Sequence, residues 1–385
     1  MPVGSRYTGL FRMLGETPPR AHDPDVAVWA GIPANRPWPA QDSVGGAGWS
    51  AELAERACVG EAVERWQTHP LPSDRLVRAS FDRWSLDEPA IDPRRFVRFH
   101  PEQPIPYERL SETTEVDWIA CRVLGEGTPI WAPADLVFLD LRPGHAPRFG
   151  PTISTGWSAH ATAQAALESA ILEVIERDAL VGAWWGSYRL VEVDDPRIDP
   201  ERLARKNLRY RWYRVLTPRA AHVTIVTVEG EDREGYVFSI GSACRLDRRA
   251  SFAKAALEAV QGRHYVRYLL TTTSDVDPPT SFAEHAAFYS RHPKRLADTV
   301  LANASRASHA TGDAPESLAS IIARLPKAAF RHATPPALVD HGYVVMRVIV
   351  PELQPLHGDH RLPFLGGLWN RPLADWATMP PHPFA

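Results

Sequence analysis

One block of sequence occurs twice in this chain, and that repeat constrains the fold more than any other feature. Gly48-Trp49-Ser50-Ala51 returns letter for letter as Gly156-Trp157-Ser158-Ala159. Each copy runs into an Ala-rich stretch closed by Glu-x-x-Glu-Arg: Glu61, Glu64 and Arg65 in the first, Glu173, Glu176 and Arg177 in the second. The second copy is longer between its landmarks, so segments 45–66 and 153–180 read as a duplication with a small insertion. Two landmarks recurring in the same order imply two structural units built to one plan.

Both copies read as helices. Ser50 stands where an N-cap residue belongs, ahead of a helix-favouring run. Ala161 to Leu180 contains neither Pro nor Gly, and Leu167, Ile171 and Val174 recur at helical spacing. On a helix, residues i, i+4 and i+7 share one stripe. Ala57, Glu61 and Glu64 form it in the first copy, and Ser169, Glu173 and Glu176 in the second. A third helix, Phe252 to Leu270, repeats the spacing with Lys254, Glu258 and Gln261, followed by Arg263.

Two readings of the glutamates stay open from the pattern. Glu61–Arg65 and Glu173–Arg177 are i,i+4 pairs of the kind that decorate exposed helices, each worth about 0.2–0.5 kcal/mol. The second helix is apolar around most of its circumference, however, and a helix of that kind is buried. Carboxylates one turn apart on a buried helix repel and resist desolvation unless cations neutralise them. Four such glutamates suit Mg²⁺ ions bridging phosphate oxygens, with the arginines on the phosphates.

Composition narrows the classes. The 385 residues, 44% hydrophobic and 23% charged, suit a globular chain with a substantial core. A balance of 43 basic against 46 acidic residues argues against a nucleic-acid binder. No window has the apolar length of a membrane helix, and the best apolar run, Tyr343 to Val350, is interrupted by Arg347. Met1 to Arg20 lacks the apolar core of a signal peptide, so a cytoplasmic protein is expected. Cys58, Cys121 and Cys244 make neither a disulfide framework nor a zinc pattern and read as buried packing groups. Neither G-x-x-x-x-G-K-[ST] nor G-x-G-x-x-G is present, which disfavours a P-loop or Rossmann site.

At the glutamate motifs the sequence resembles the YcaO family, whose ATP-binding signature reads S-x-x-x-E-x-x-E-R, then S-x-x-x-E-x-x-E, then a helix bearing Gln and Arg. Ser169, Glu173 and Glu176 complete the second element, followed by Arg177 and Asp178. Glu61, Glu64 and Arg65 match the first, with Ala57 where the family places Ser. Glu258, Gln261 and Arg263 resemble the third. The resemblance runs from about residue 40 to the Pro-rich end in Pro381-His382-Pro383-Phe384.

What the resemblance implies is an α+β, YcaO-type fold with pseudo-duplicated helix-plus-sheet halves around a central nucleotide site. It divides the chain into a Pro-rich N-terminal arm (1–40) and a YcaO domain (41–385) whose tail is 351–385. It implies an ATP- and Mg²⁺-dependent peptide cyclodehydratase that phosphorylates a backbone amide oxygen and converts Cys, Ser or Thr to thiazoline or (methyl)oxazoline. Glu61, Glu64, Glu173 and Glu176 would hold Mg²⁺. Arg65, Ser169, Glu173, Glu176, Arg177, Glu258, Gln261 and Arg263 would contact ATP, and His382 would join in catalysis. The implied partners are a ribosomal precursor peptide, a separate leader-binding protein, a flavin-dependent azoline dehydrogenase and a second copy of the chain. Thioamide or macroamidine formation, or a catalytically silent scaffold, are the alternatives.

Elsewhere, hairpins are expected from Val116–Val123 with Ile130–Leu141 and from His222–Val228 with Tyr236–Ile240, and a short buried strand over Tyr343–Val350. Strands and helices come in mixed blocks, which favours α+β over a doubly wound fold. Segment 305–316 reads as a mobile loop. His357 and His360 could ligate a metal but lack a third ligand in sequence. The terminal prolines and Phe384 suit either a frayed end or an extended segment in a groove.

Overall fold

The computed structural model describes residues 9–34, 43–66, 68–84, 88–141, 148–194, 198, 201–219, 221–233, 235–307, 316–367 and 373–385. The expected mobile loop lies mostly outside the described residues, as do parts of the expected N-terminal arm. The arm is not wholly irregular. β1 (Phe11–Glu16) and β2 (Ala27–Pro33) pair antiparallel and continue onto β3 (Val44–Gly48). Pro18, Pro19 and Pro24 fall between the first two strands, where a missing N–H costs no ladder bond.

α1 (Ala51–Trp66) follows directly, capped by Ser50 Oγ, which accepts from Leu53 N at 3.3 Å. Gly46 lets β3 lie against it, since a Cβ there would stand 2.3 Å from Ala54 O and Cys58 N. Then come β4 (Val77–Ala79), α2 (Phe81–Trp84), β5 (Val116–Val123), β6 (Pro129–Pro133), α3 (Ala134–Val137), β7 (Trp157–His160) and α4 (Ala163–Trp184). β5 and β6 form the expected hairpin, but its second arm stops at Pro133 rather than Leu141. Ala134–Val137 turns into a helix there instead of extending the ladder. Thr162 caps α4, accepting from Ala165 N at 3.2 Å.

β8 (Arg189–Val193), β9 (Arg209–Leu216), β10 (His222–Asp232) and β11 (Gly235–Arg245) lead into α5 (Arg248–Thr272), which Asp247 caps. α6 (Phe282–Arg291), β12 (Ser305–Ala307), α7 (Leu318–Arg324), β13 (Ala329–His332), α8 (Pro336–Val339), β14 (Val344–Ile349) and α9 (Leu373–Trp376) complete the described elements. One sheet runs β11-β10-β9-β8-β12 and another β4-β5-β13-β14-β7, with β6 beside β5. Among the described strands only β12 and β8 pair in parallel, so the architecture is α+β rather than a wound parallel sheet.

The three long helices share these sheets in a way that gathers the motifs. α1 packs on β3 and β7, α4 on β7, β14 and β11, and α5 on β11, β10 and β3. Each helix therefore touches a strand belonging to another. α4 is the most deeply set, with Ile171, Leu172, Ile175 and Leu180 at 0–1% exposure. No described helix is long and apolar enough to cross a membrane.

Candidate functional site

A glycine amide anchors the first glutamate of each Glu-x-x-Glu-Arg segment. Glu61 on α1 accepts a hydrogen bond from Gly45 N at 2.9 Å, and Glu173 on α4 accepts one from Gly156 N, also at 2.9 Å. Gly156 has φ +91, and a Cβ there would lie 2.4 Å from Val348 O. Only glycine meets both conditions without strain. Glu176 is held by a third strand: Ser242 Oγ donates to one carboxylate oxygen at 2.7 Å and Cys244 N to the other at 2.9 Å, both from β11.

Around these anchors the charges interlock. Arg65 pairs with Glu64 at 3.4 Å, and Arg177 lies 3.9 Å from Glu173 and 3.6 Å from Glu176. Arg177 also feels Glu258 of α5 and Glu64 of α1, so all three helices meet at one guanidinium. Glu258 takes Lys254 at 3.1 Å. Gln261 reaches back to β3, its Nε2 2.7 Å from where a Gly45 Cβ would be. Ser169 sits half-buried on α4, one turn before Glu173.

Desolvation dominates the electrostatics of these carboxyls. Burial pushes the Glu64 carboxyl up to about 8, with Glu173 and Glu61 adding repulsion that Arg65 and Arg177 only partly offset. Burial likewise raises Glu176, opposed by Arg177, with Glu258 pushing it further up. An all-oxygen donor set in which Glu64 and Glu176 resist ionisation fits a hard divalent cation such as Mg²⁺, which would relieve the repulsion among the carboxylates.

Two sequence candidates lie elsewhere. Arg263 donates to Val237 O at 3.0 Å and Gly230 O at 3.3 Å, bracing the β10–β11 hairpin. It follows Gln261 by two residues, about 200° around the helix, so the two cannot share a face. His382 is buried among His285, His357 and Phe384, and its ring Nε2 meets His357 O at 2.8 Å.

Ser242, the Cys244 amide, Arg245 and Arg347 belong to the site without having been read from sequence as members. Nothing in β11 advertises Ser242. Arg347 left a signal, since it is the charge interrupting the Tyr343–Val350 run. It is 4% exposed on β14, donates to Ser154 O at 3.3 Å, Ile153 O at 3.2 Å and also Thr155 O, and so fixes the loop that presents Gly156 N. Burial lowers it to about 10 against the pull of Glu173. With Arg98, Thr152, Thr155 and Val174 it lines a cavity of about 70 Å³.

A family model described as YcaO cyclodehydratase, ATP- and Mg²⁺-binding, matches residues 45–354. Among solved structures, a heterocyclase in complex with substrate and cofactor superposes with a TM-score of 0.71 at 18% identity, covering 98% of this chain and 55% of that one. A YcaO protein from Methanopyrus kandleri bound with AMPPCP and Mg²⁺ gives 0.62 at 18% identity, over 89% and 86%. The E. coli microcin synthetase McbBCD complex with pro-MccB17 bound gives 0.64 at 14% identity, over 91% and 90%. The chain thus spans little more than half of the first of these and most of the other two. At such identities the likeness establishes the fold. No curated protein sequence matches.

Proposed function

The chain belongs to the YcaO family, and from that premise we propose that it is an ATP- and Mg²⁺-dependent peptide cyclodehydratase that converts Cys, Ser or Thr of a precursor peptide into azoline rings. The observation that carries the reading is the convergence of Glu61, Glu64, Glu173, Glu176 and Glu258 from three helices on Arg65 and Arg177.

Glu61, Glu64, Glu173 and Glu176 would hold Mg²⁺, with Glu258 beside them. ATP supplies the phosphoryl group that turns an amide oxygen into a leaving group, and Mg²⁺ offsets its charge. Arg65 and Arg177 hold the carboxylates in place through ion pairs and offer their remaining N–H donors to phosphate oxygens. Ser169 and Gln261 stand on the same helix faces as polar contacts for the nucleotide. The Gly45 and Gly156 amides and Ser242 fix carboxylate orientation before any ligand arrives, which reduces the reorganisation that binding and phosphoryl transfer require. Arg263 has no part in this reading.

The peptide is proposed to come from a separate leader-binding protein, with a flavin-dependent dehydrogenase acting on the azoline and residues 41–385 forming one domain. That a neighbour of similar length is found in a complex bound to its pro-peptide supports the first point. The test is calorimetric ATP binding with and without Mg²⁺, on the wild type and on a Glu61→Ala/Glu176→Ala variant checked for folding by circular dichroism. Mg²⁺-dependent binding lost in the variant supports the site, and undiminished binding in the variant refutes it. With a precursor peptide and its delivery protein, each ring formed removes one water from the product mass, whereas thioamidation exchanges oxygen for sulfur.

A further inference from the structure

His285 on α6, His357 and His360 in the loop after β14, and His382 near the end of the chain come together far apart in sequence. His285, His357 and His382 are 0%, 2% and 2% exposed, and one ring nitrogen from each lies within 4.8 Å of the other two. His285 Nδ1 meets His382 O at 2.6 Å, and His382 Nε2 meets His357 O at 2.8 Å. A carbonyl only accepts, so the proton sits on Nδ1 of His285 and on Nε2 of His382. Each ring is thereby left with a bare lone pair on its other nitrogen. Both of those nitrogens are buried without a hydrogen-bond partner, as are both nitrogens of His357 and Nδ1 of His360.

Backbone carbonyls that fix the tautomer and leave the second nitrogen free are the outer-shell arrangement of metal-binding histidines. Three imidazoles with no carboxylate among them suit a zinc-class cation and not Mg²⁺ or Ca²⁺, which take oxygen ligands. Burial lowers all four imidazoles from their usual range, which agrees with the neutral tautomers that the carbonyl contacts fix. The geometry points to a second metal site in this protein, in which His285, His357 and His382 bind a zinc-class divalent ion and His360 completes the shell.

His360 is within reach of that role, its ring 6.2 Å from those of both His285 and His357. A tetrahedral ion with bonds of about 2.0–2.1 Å sets its nitrogens about 3.3 Å apart, so the cluster closes by up to roughly 1.5 Å on binding. The stacked His285 and His382 rings, 4.0 Å apart and 8° from parallel, splay to do so. The ion would clamp the terminal segment in place. Trp184 Nε1 already donates to Pro380 O at 2.8 Å and Tyr289 OH to Pro381 O at 2.7 Å, and Phe384 packs on Trp184. Trp184 ends the helix that carries Glu173 and Glu176, so the clamp and the glutamate site share a rigid element.

The experiment uses the full chain stripped with a chelator and titrated with Co²⁺, read by the visible absorption of tetrahedral cobalt and then by Zn²⁺ displacement. Expected is about one equivalent per chain, unaffected by excess Mg²⁺, together with a chelator-induced fall in melting temperature. His357→Gln and His285→Gln each abolish the band, while the exposed control His341→Gln keeps it. A folded wild type that takes up neither Co²⁺ nor Zn²⁺ overturns the proposal and leaves buried water as the partner of the orphaned nitrogens. A band that survives in both variants overturns it too. The wild-type titration decides the matter even where a variant fails to fold, and it reads no catalytic activity.

Discussion

Replacing Glu64 by Gln tests the charge logic of the site most directly, because stability and ligand binding should move in opposite directions. Gln keeps the shape and removes the ionisable proton. The carboxyl is pushed from its usual 4.5 up to about 8 by burial, Glu173 and Glu61. A raised acid binds its proton more tightly in the fold than in the unfolded chain, so this group's contribution to stability is present below pH 4.5 and is lost as pH rises toward 8. At pH 7.5 the linkage amounts to about 4 kcal/mol against the folded ligand-free protein, taking about 1.36 kcal/mol per pKa unit. That is an upper limit, since Gln also gives up the Arg65 pair at 3.4 Å. A net gain of about 2 kcal/mol corresponds to roughly 2–3 °C in a chain of 385 residues. The ligand-free variant should therefore melt higher than wild type at pH 7.5 and equal to it at pH 4. Mg²⁺-ATP should raise the wild-type melting temperature and leave the variant almost unmoved. Wild-type binding should tighten with pH, by up to about tenfold per unit, as a proton is released on metal binding. Scanning calorimetry reads the first pair, and titration in buffers of differing ionisation enthalpy reads the proton. A ligand-free variant less stable than wild type at pH 7.5, or one still stabilised by Mg²⁺-ATP, refutes the reasoning.

Ser242→Ala removes the hydroxyl that orients Glu176 and should weaken Mg²⁺-ATP binding roughly 10- to 100-fold, as loss of outer-shell partners does; calorimetry checks it, on a ligand-free protein that stays folded but loses about 1–3 kcal/mol for the abandoned carboxylate oxygen. Gly156→Ala should destabilise the fold by about 1–3 kcal/mol through its φ of +91 and the clash with Val348 O, read by urea unfolding. Arg263→Met should cost about 1–3 kcal/mol for each carbonyl it abandons yet leave ATP affinity unchanged in the folded protein, which separates bracing the hairpin from nucleotide contact.

Sequence and structure agree best where a motif is local. Helices α1, α4 and α5 were legible because the Ser50 cap, the apolar spacing of 161–180 and the polar spacing of 254–261 lie within the segments themselves, whereas the Thr162 and Asp247 caps, and the first turn of α5, were not read. Strands β1 and β2 were not, because the prolines between them dominate the local composition and only pairing with β3 reveals their register. The glutamates were found since Glu-x-x-Glu-Arg recurs, but what orients them was hidden. Ser242 is an unremarkable residue in an apolar strand, and it acquires meaning only because β11 runs past Glu176. The histidines make the same point from the other side. His357 and His360 offered two ligands, and no spacing rule could supply the others, which come 72 residues earlier in sequence at His285 and near the chain's end at His382. A charged or polar group that breaks an apolar run, as Arg347 does, is the one long-range signal that survives in a single sequence. Burying such a group demands partners, and the three carbonyls around Arg347 are the partners its position required.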